Sequence, residues 1–222
     1  DDALVLIPIF NEANNINILL KEVKKYFNNI LVVNDGSLDE IDYILEKQKV
    51  QNCSHIINLG QGAAIDTGLN FFIKNFKYKY VITFDGDGQH LPIDAHKMLQ
   101  IAKDGDYKAV IGTRFKTEVS IKQIPFLKRI TLRLARIYEQ IFYGIKLSDA
   151  HNGLRVFERD LVIKSILPVK SSGMFHATEI SYKISRSGFK FIEYPVFINY
   201  KNKKSQSPIN AINILINNIF YH

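Results

Sequence analysis

Two aspartates two positions apart, Asp85 and Asp87, lie in the run Phe84-Asp85-Gly86-Asp87-Gly88-Gln89-His90, directly after an apolar stretch. Carboxylates at this spacing, separated by a glycine, can reach one hard cation such as Mg2+ or Mn2+ together with the oxygens of a diphosphate. Gly86 and Gly88 let the backbone come close to phosphate oxygens. A calcium loop of the helix-loop-helix kind begins in the same way, but its twelfth position would be His96 instead of a bidentate Glu. A phosphatase of the D-x-D-G-T type needs its first Asp on the first strand and a Thr where this chain has Gln89. A plain solvated turn is the remaining alternative.

Asp35, in Asn34-Asp35-Gly36-Ser37-Leu38-Asp39, follows a second apolar stretch. A carboxylate there can accept hydrogen bonds from the N–H of a base, or serve only the turn, while Ser37 or Asp39 is expected to cap the following helix. Asp149 lies in Ser148-Asp149-Ala150-His151-Asn152-Gly153-Leu154-Arg155. It would act as general base toward a hydroxyl acceptor. An acceptor phosphate is already ionised, and Asp149 would then orient the acceptor or a neighbouring Arg; a helix cap is the bland alternative. Arg114 and Arg155 carry the planar guanidinium fork that matches phosphate oxygens. His151 and Asn152 either line the acceptor path or are structural. Glu179 either faces the acceptor or pairs with an Arg.

The elements that position these groups are legible as alternating patterns. Leu4–Ile9, Ile30–Asn34, His55–Leu59, Tyr80–Phe84 and Ala109–Gly112 read as buried strands, nearly continuous in Val, Ile and Leu. Asn14–Phe27, Leu38–Lys49, Gly62–Asn75 and Ile93–Lys103 read as helices between them. This order predicts an α/β fold, a mostly parallel Rossmann-like sheet with helices on both faces, whose ligands sit beyond the carboxyl ends of the strands. Those ends carry Pro8, Asn11 and Glu12, then Asp35, then Gly60 and Gln61, then Asp85 to His90, then Gly112-Thr113-Arg114. Ligand-type chemistry at five successive ends is not chance placement. Further on, Gln123–Tyr143 reads as one long helix with an apolar stripe of Leu127, Ile130, Leu134, Ile137 and Ile141 beside Arg129, Arg133 and Arg136. Such a helix either lies in the headgroups of an anionic bilayer or packs on the core with a solvated basic face. Ala177–Ser187 reads as a helix stopped by Gly188, and Phe191–Ile198 as a strand.

The chain has 222 residues, 46% hydrophobic, with net charge +7. That charge draws the protein to anionic lipid or phosphorylated substrates. Nucleic acid is not expected, since no basic motif interleaved with aromatics or recognition helix is present. The lone Cys53 reads as a small filler near a strand end, in a reducing compartment. No window approaches a membrane span and no secretory signal opens the chain, so a cytoplasmic location, peripheral at the membrane face, is expected.

The segments Ile7-Pro8-Ile9-Phe10-Asn11-Glu12, Asn34 to Asp39, Asn58-Leu59-Gly60-Gln61-Gly62-Ala63-Ala64, Phe84 to His90 and Gly112-Thr113-Arg114, in this order, resemble family 2 glycosyltransferases of the GT-A fold. More narrowly, the chain is similar to the dolichol- and polyprenyl-phosphate sugar synthases from Leu4 to about Tyr200. The resemblance implies one domain over residues 1–222, with a nucleotide-sugar half to about residue 115 and an acceptor half beyond it. It implies inverting transfer of a hexose-type sugar from a UDP- or GDP-linked donor to a lipid phosphate. Pro8, Asn11, Glu12 and Gly60 would border the nucleotide, Asp35 would meet the base, and Asp85, Asp87 and Gln89 would hold the metal. Arg114 would bind phosphate, and Asp149, Asp87 and Arg155 would form the catalytic set.

Two departures stand out. Asn34 replaces the first of two acidic residues usual before Gly-Ser, and the tail Tyr200 to Ser207 keeps basic and hydroxyl groups but lacks the usual Gly. The Q-x-x-R-W motif of polymer synthases is absent, as is any Trp. Rival readings are transfer to a hydroxyl of a soluble glycan or protein, with Asp149 as base, and a non-catalytic nucleotide-sugar-binding module. A sugar-1-phosphate nucleotidyltransferase is excluded, because it needs a Gly-rich, Arg-containing loop where this chain has Pro8 to Glu12.

Overall fold

The computed structural model describes residues 2–200 apart from 125, 146 and 174. The basic tail from Lys201 to Ser207 noted in the sequence lies outside the described residues. The elements run β1 (Ala3–Ile9), α1 (Ala13–Val23), β2 (Ile30–Asn34), α2 (Ile41–Gln48), β3 (Gln51–Ser54), α3 (Gln61–Asn75), β4 (Tyr80–Thr83), α4 (Pro92–Asp104), β5 (Ala109–Thr113), α5 (Glu118–Gln123), α6 (Phe126–Tyr143), β6 (Arg155–Glu158), α7 (Arg159–Leu161), α8 (His176–Arg186) and β7 (Phe191–Pro195). The strands form one seven-stranded sheet in the order β3-β2-β1-β4-β6-β5-β7. All pairings are parallel except those of β6, which runs antiparallel between β4 and β5.

Strand order reverses between β1 and β4, and that crevice is where an open α/β sheet takes its ligand. The inner strands are apolar because both faces are covered. One core contains Val5, Ile7, Ile16, Leu20, Leu45 and Met98, and the other Leu4, Leu6, Leu69, Phe72, Phe157 and Ile180. Gly68 in α3 lies against the Leu6 side chain, so the helix approaches β1 more closely than any larger residue permits.

Three sequence expectations need correction. The third strand is Gln51–Ser54, not His55–Leu59. It pairs with β2 on one side only and is mostly exposed, so an edge strand formed from polar residues while the apolar Ile56 and Ile57 went to an exposed loop. Arg155–Glu158, unassigned from the sequence, is a fully buried strand. The helix expected over Gln123–Tyr143 is α6, which begins at Phe126, and a separate short helix, α5, precedes it over Glu118–Gln123.

The stripe on α6 is also settled by the fold. Leu127, Ile130, Leu134, Ile137 and Ile141 are 40 to 71% exposed, together with Phe126 and Phe142. The helix instead turns Leu132, Ala135, Tyr138, Glu139 and Tyr143 toward the domain. It is not a core helix with a solvated polar face; its apolar side faces outward.

Asn34 explains one departure from the usual pattern. Its amide donates to Asp42 Oδ1 (2.9 Å) while its Oδ1 accepts the Ser37 N–H (3.0 Å), all at a position only 2% exposed. An aspartate there would lose the donor and bring two carboxylates together. Asn34→Asp is expected to destabilise the fold by about 1–3 kcal/mol, measured by urea denaturation; an unchanged midpoint would contradict this role.

Candidate active site at the carboxyl ends of the strands

The first two strand ends are bound to each other. Asn11 has a positive φ of 54°, its N–H donates to Ser37 Oγ (2.9 Å), and its Oδ1 accepts the Leu38 N–H (2.9 Å). Asp39 Oδ2 accepts the N–H of Ala13, the first residue of α1 (2.9 Å). Ser37 and Asp39 therefore join the loops after β1 and β2 instead of capping α2, which begins after Glu40 without a side-chain cap. Glu12 precedes α1 and accepts from Asn15 Nδ2 (2.7 Å), while Pro8 lies buried within β1.

Asp35 is almost fully buried and holds the loop after β3. Its two oxygens accept the N–H groups of Leu59 (2.9 Å) and Gly60 (2.8 Å), and His55 Nδ1 lies 2.7 Å from Oδ1. The other ring nitrogen of His55, Nε2, lies 2.9 Å from Thr67 Oγ1. The loop continues through Gly60, whose φ of 99° suits glycine and whose added Cβ would press on the Ser172 carbonyl. The Gly62 N–H donates to that carbonyl at 2.7 Å. The Ser172 segment is held in turn by Glu179, which accepts the N–H groups of Lys170 (3.0 Å) and Ser171 (2.8 Å) and pairs with Lys183 (2.6 Å). Burial raises the Glu179 pKa, but these donors outweigh it and bring the carboxyl down to about 2. Its ionic partner is thus a lysine, and its work is to fix a loop.

Asp85 stands at the end of β4 with about a quarter of its side chain exposed. Gln61 Nε2, from the first residue of α3, donates to Oδ1 (3.0 Å), and His90 Nε2 lies 3.2 Å from Oδ2. Gly153 lies so close beneath that an added Cβ would overlap both oxygens. Gly153 is set there by β6 and by its carbonyl, which accepts from Thr83 Oγ1 at 2.8 Å. Burial raises the Asp85 pKa, yet the His90 hydrogen bond and the charges of His90, His176 and Arg155 outweigh it, and the carboxyl ionises below its ordinary value. Asp87 follows across Gly86, its Oδ1 accepting the Gln89 N–H (3.0 Å), and the Gln89 carbonyl accepts the Asn199 N–H (2.9 Å). Among the described residues no three His, Cys, Asp or Glu side chains cluster as a metal cage. An ionised Asp85, part open to solvent with Asp87 beside it, still fits a hard cation of the kind that takes one or two carboxylates and completes its shell from phosphate and water.

The far wall is built around a buried ion pair. Arg114 donates to Asp149 through Nε (2.6 Å), Nη2 (2.6 Å) and its own N–H (3.0 Å). Burial works against both charges, but each stabilises the other, so the Asp149 carboxyl sits below and the Arg114 guanidinium above its ordinary value. Arg155 is buried at the start of β6, donating to the carbonyls of Asn152 (2.9 Å), Ala150 (2.6 Å) and Ala177 (3.3 Å). Burial lowers its pKa to about 10. Its geometry is that of a support for the 150–152 turn, not of a fork presented to phosphate. His151 is paired with the buried Glu139 of α6, Nε2 to Oε1 3.2 Å.

Sequence reasoning thus located both walls but missed Gln61, His90 and Gly153 as the setting of Asp85. The first two are polar residues of glycine-containing strand-end motifs, a signal that was present. The Glu139 contact with His151 had none, being one acid inside a basic, apolar helix.

Comparison with known proteins bears on the family and the fold. The family model described as Glycosyl transferase family 2 matches residues 4–165. An uncharacterized protein of Methanocaldococcus jannaschii is 33% identical, over 97% of this chain and 90% of its own length. Polyprenol monophosphomannose synthase of Mycolicibacterium smegmatis is 25% identical, over 87% of this chain and 76% of that one. The crystal structure of glucosyl-3-phosphoglycerate synthase from Mycobacterium tuberculosis with Mn2+, UDP-glucose and phosphoglyceric acid superposes with a TM-score of 0.67 at 15% identity, covering 97% of this chain and 78% of that one.

The contact beneath Asp85 yields a sharp expectation. Gly153→Ala must displace that carboxylate, and an ångström of misplacement costs on the order of 100-fold in rate. Turnover should fall by about that factor with the melting temperature little changed; activity within about twofold of wild type would show that Asp85 does not depend on Gly153.

Proposed function

The chain belongs to glycosyl transferase family 2, and we propose that it moves a hexose-type sugar from a UDP- or GDP-linked donor to the phosphate of a polyprenyl-type lipid. It is a glycosyltransferase; the donor, the acceptor and the need for metal are the proposed parts. The observation that carries the lipid half is the outward apolar face of α6, seven large side chains at least 40% exposed with Arg129, Arg133 and Arg136 alongside. Arg129 lies over the Phe126 ring at 5.5 Å, a basic and aromatic pairing suited to a headgroup region. Among the described residues no helix is long and apolar enough to cross a membrane. The proposed association is peripheral, at the cytoplasmic face of the membrane. The similarity to a polyprenol monophosphomannose synthase supports the same acceptor class.

The reaction would be one in-line displacement with inversion. An acceptor oxygen forms a bond to the anomeric carbon as the bond to the nucleoside diphosphate breaks. Asp35 and the loop it holds would frame the base, with Pro8, Asn11, Glu12 and Gly60 along the nucleotide. Asp85 and Asp87, with Gln89 near them, would hold Mg2+ or Mn2+, which neutralises charge on the departing diphosphate. Arg114 lies at the end of β5 with its guanidinium already oriented by Asp149. Both Asp149 oxygens are engaged by that arginine, which disfavours Asp149 as a base and favours an acceptor that needs none. A phosphate monoester is such an acceptor.

The test is incubation with UDP- and GDP-sugars, Mn2+ and polyprenyl phosphate, with the lipid product identified by mass. Product is expected, abolished by EDTA and by Asp87→Ala; product from a soluble hydroxyl acceptor alone would overturn the lipid assignment. Changing Arg129, Arg133 and Arg136 together to Gln should weaken association with anionic liposomes by about 1 kcal/mol per residue at low salt, read by sedimentation. Unchanged sedimentation would remove α6 as the membrane face.

A further inference from the structure

The turn 150–153 meets the reaction centre, and one of its side chains is unaccounted for. Gly153 lies against Asp85, while Ala150 and Asn152 are 3% and 2% exposed. His151 alone in that turn offers a chemically active side chain with solvent access, about a quarter exposed. It is also held. Its Nε2 lies 3.2 Å from Oε1 of Glu139, and the same oxygen accepts the Thr178 hydroxyl at 2.7 Å.

Glu139 is almost fully buried on the inner seam of α6, opposite the exposed apolar stripe. A buried carboxylate is costly unless its partners are well placed. A hydroxyl and an imidazole arriving from α8 and from the turn meet that need, and they fix the ring. In the imidazolium form both ring nitrogens donate, Nε2 toward Glu139 and Nδ1 toward a ligand oxygen. The other charged or titratable groups around this pair include Asp149 in the same turn, Arg155 of β6 and His176 of α8. These three neighbours are engaged: Asp149 with Arg114, Arg155 with three carbonyls, and His176 Nδ1 with the Gly173 carbonyl at 2.8 Å.

Resting on the lipid-phosphate reading above, we propose that His151 contacts the acceptor's phosphate, with Glu139 as the positioning residue that presents the ring from the surface-facing helix. The step balances without proton transfer. One phosphate oxygen bonds to the anomeric carbon, the carbon–diphosphate bond breaks with its electron pair leaving on the nucleotide, and the imidazolium Nδ1–H of His151 donates to a non-attacking oxygen. Glu139 touches no substrate and acts through His151. The helix whose outer face is suited to lipid thus carries, on its inner face, the residue that sets the acceptor contact.

The test measures binding of a short-chain isoprenyl phosphate and of the matching isoprenol to wild type, His151→Ala, Glu139→Gln and the double variant. Wild type should prefer the phosphate by about tenfold or more, the scale of one charge-assisted hydrogen bond. His151→Ala should lose most of that preference, Glu139→Gln a smaller part, and the double variant no more than His151→Ala, because the two act in series. Affinity for UDP or GDP should be unchanged. A phosphate preference retained in His151→Ala overturns the contact, and additive losses overturn the role of Glu139. Transfer assays separate the two levels. If wild type binds the phosphate through His151 yet makes no lipid product, the acceptor assignment fails and the contact stands. If His151→Ala makes lipid product at the wild-type acceptor KM, the contact fails and the function stands.

Discussion

The carboxylate of Asp85 is the constraint on which the rest of the site depends. A charge partly removed from water needs partners in place, and each partner arrives from a different part of the chain: Gln61 from the start of α3, His90 from the loop after β4, Gly153 from the turn before β6. Moving any of these elements moves the carboxylate. The antiparallel insertion of β6 is what brings the turn 150–153 under Asp85, since β6 pairs Thr83 with Arg155. Had β5 followed β4 directly in the sheet, nothing would carry Gly153 to that place.

The same economy governs the loops. Asp35 and Glu179, far apart in sequence, each place a carboxylate under two successive backbone N–H groups, fixing the 59–60 and 170–171 segments. The two segments then meet where the Gly62 N–H donates to Ser172. Gln61 lies between these contacts, so the loop that frames the proposed base site also aims the donor to Asp85. The proposed nucleotide site and the carboxylate proposed to hold metal are mechanically one arrangement.

Much of this was legible in the sequence, and what was not has physical causes. Buried parallel strands announce themselves because both faces need apolar residues, so β1, β2, β4 and β5 were found within a residue or so. The edge strand β3 escaped because one-sided pairing needs no such pattern, and the apolar loop 55–59 imitated it. The short β6 carries Arg155 and Glu158 at its ends, which reads as a turn until the sheet closes around it. The glycosyltransferase family and its GT-A type of sheet were readable from the motifs at the strand ends. Roles were harder. Ser37 read as a helix cap and in fact holds Asn11, and Arg155 read as a phosphate ligand and in fact supports carbonyls. The direction in which α6 turns its stripe depends on what the domain already covers, which no local pattern records.

In the proposed reaction Asp85 is the protein's hold on a cation and diphosphate together. Calorimetric titration of UDP into wild type and Asp85→Asn, each with and without Mn2+, addresses it without need of an acceptor; GDP serves in the same way if the guanine donor is the one used. Mn2+ should tighten nucleotide binding to wild type by about tenfold or more, the scale of one charge-assisted contact, and that gain should vanish in Asp85→Asn while metal-free binding persists. An equal gain from Mn2+ in both proteins, or none in wild type, would contradict the account.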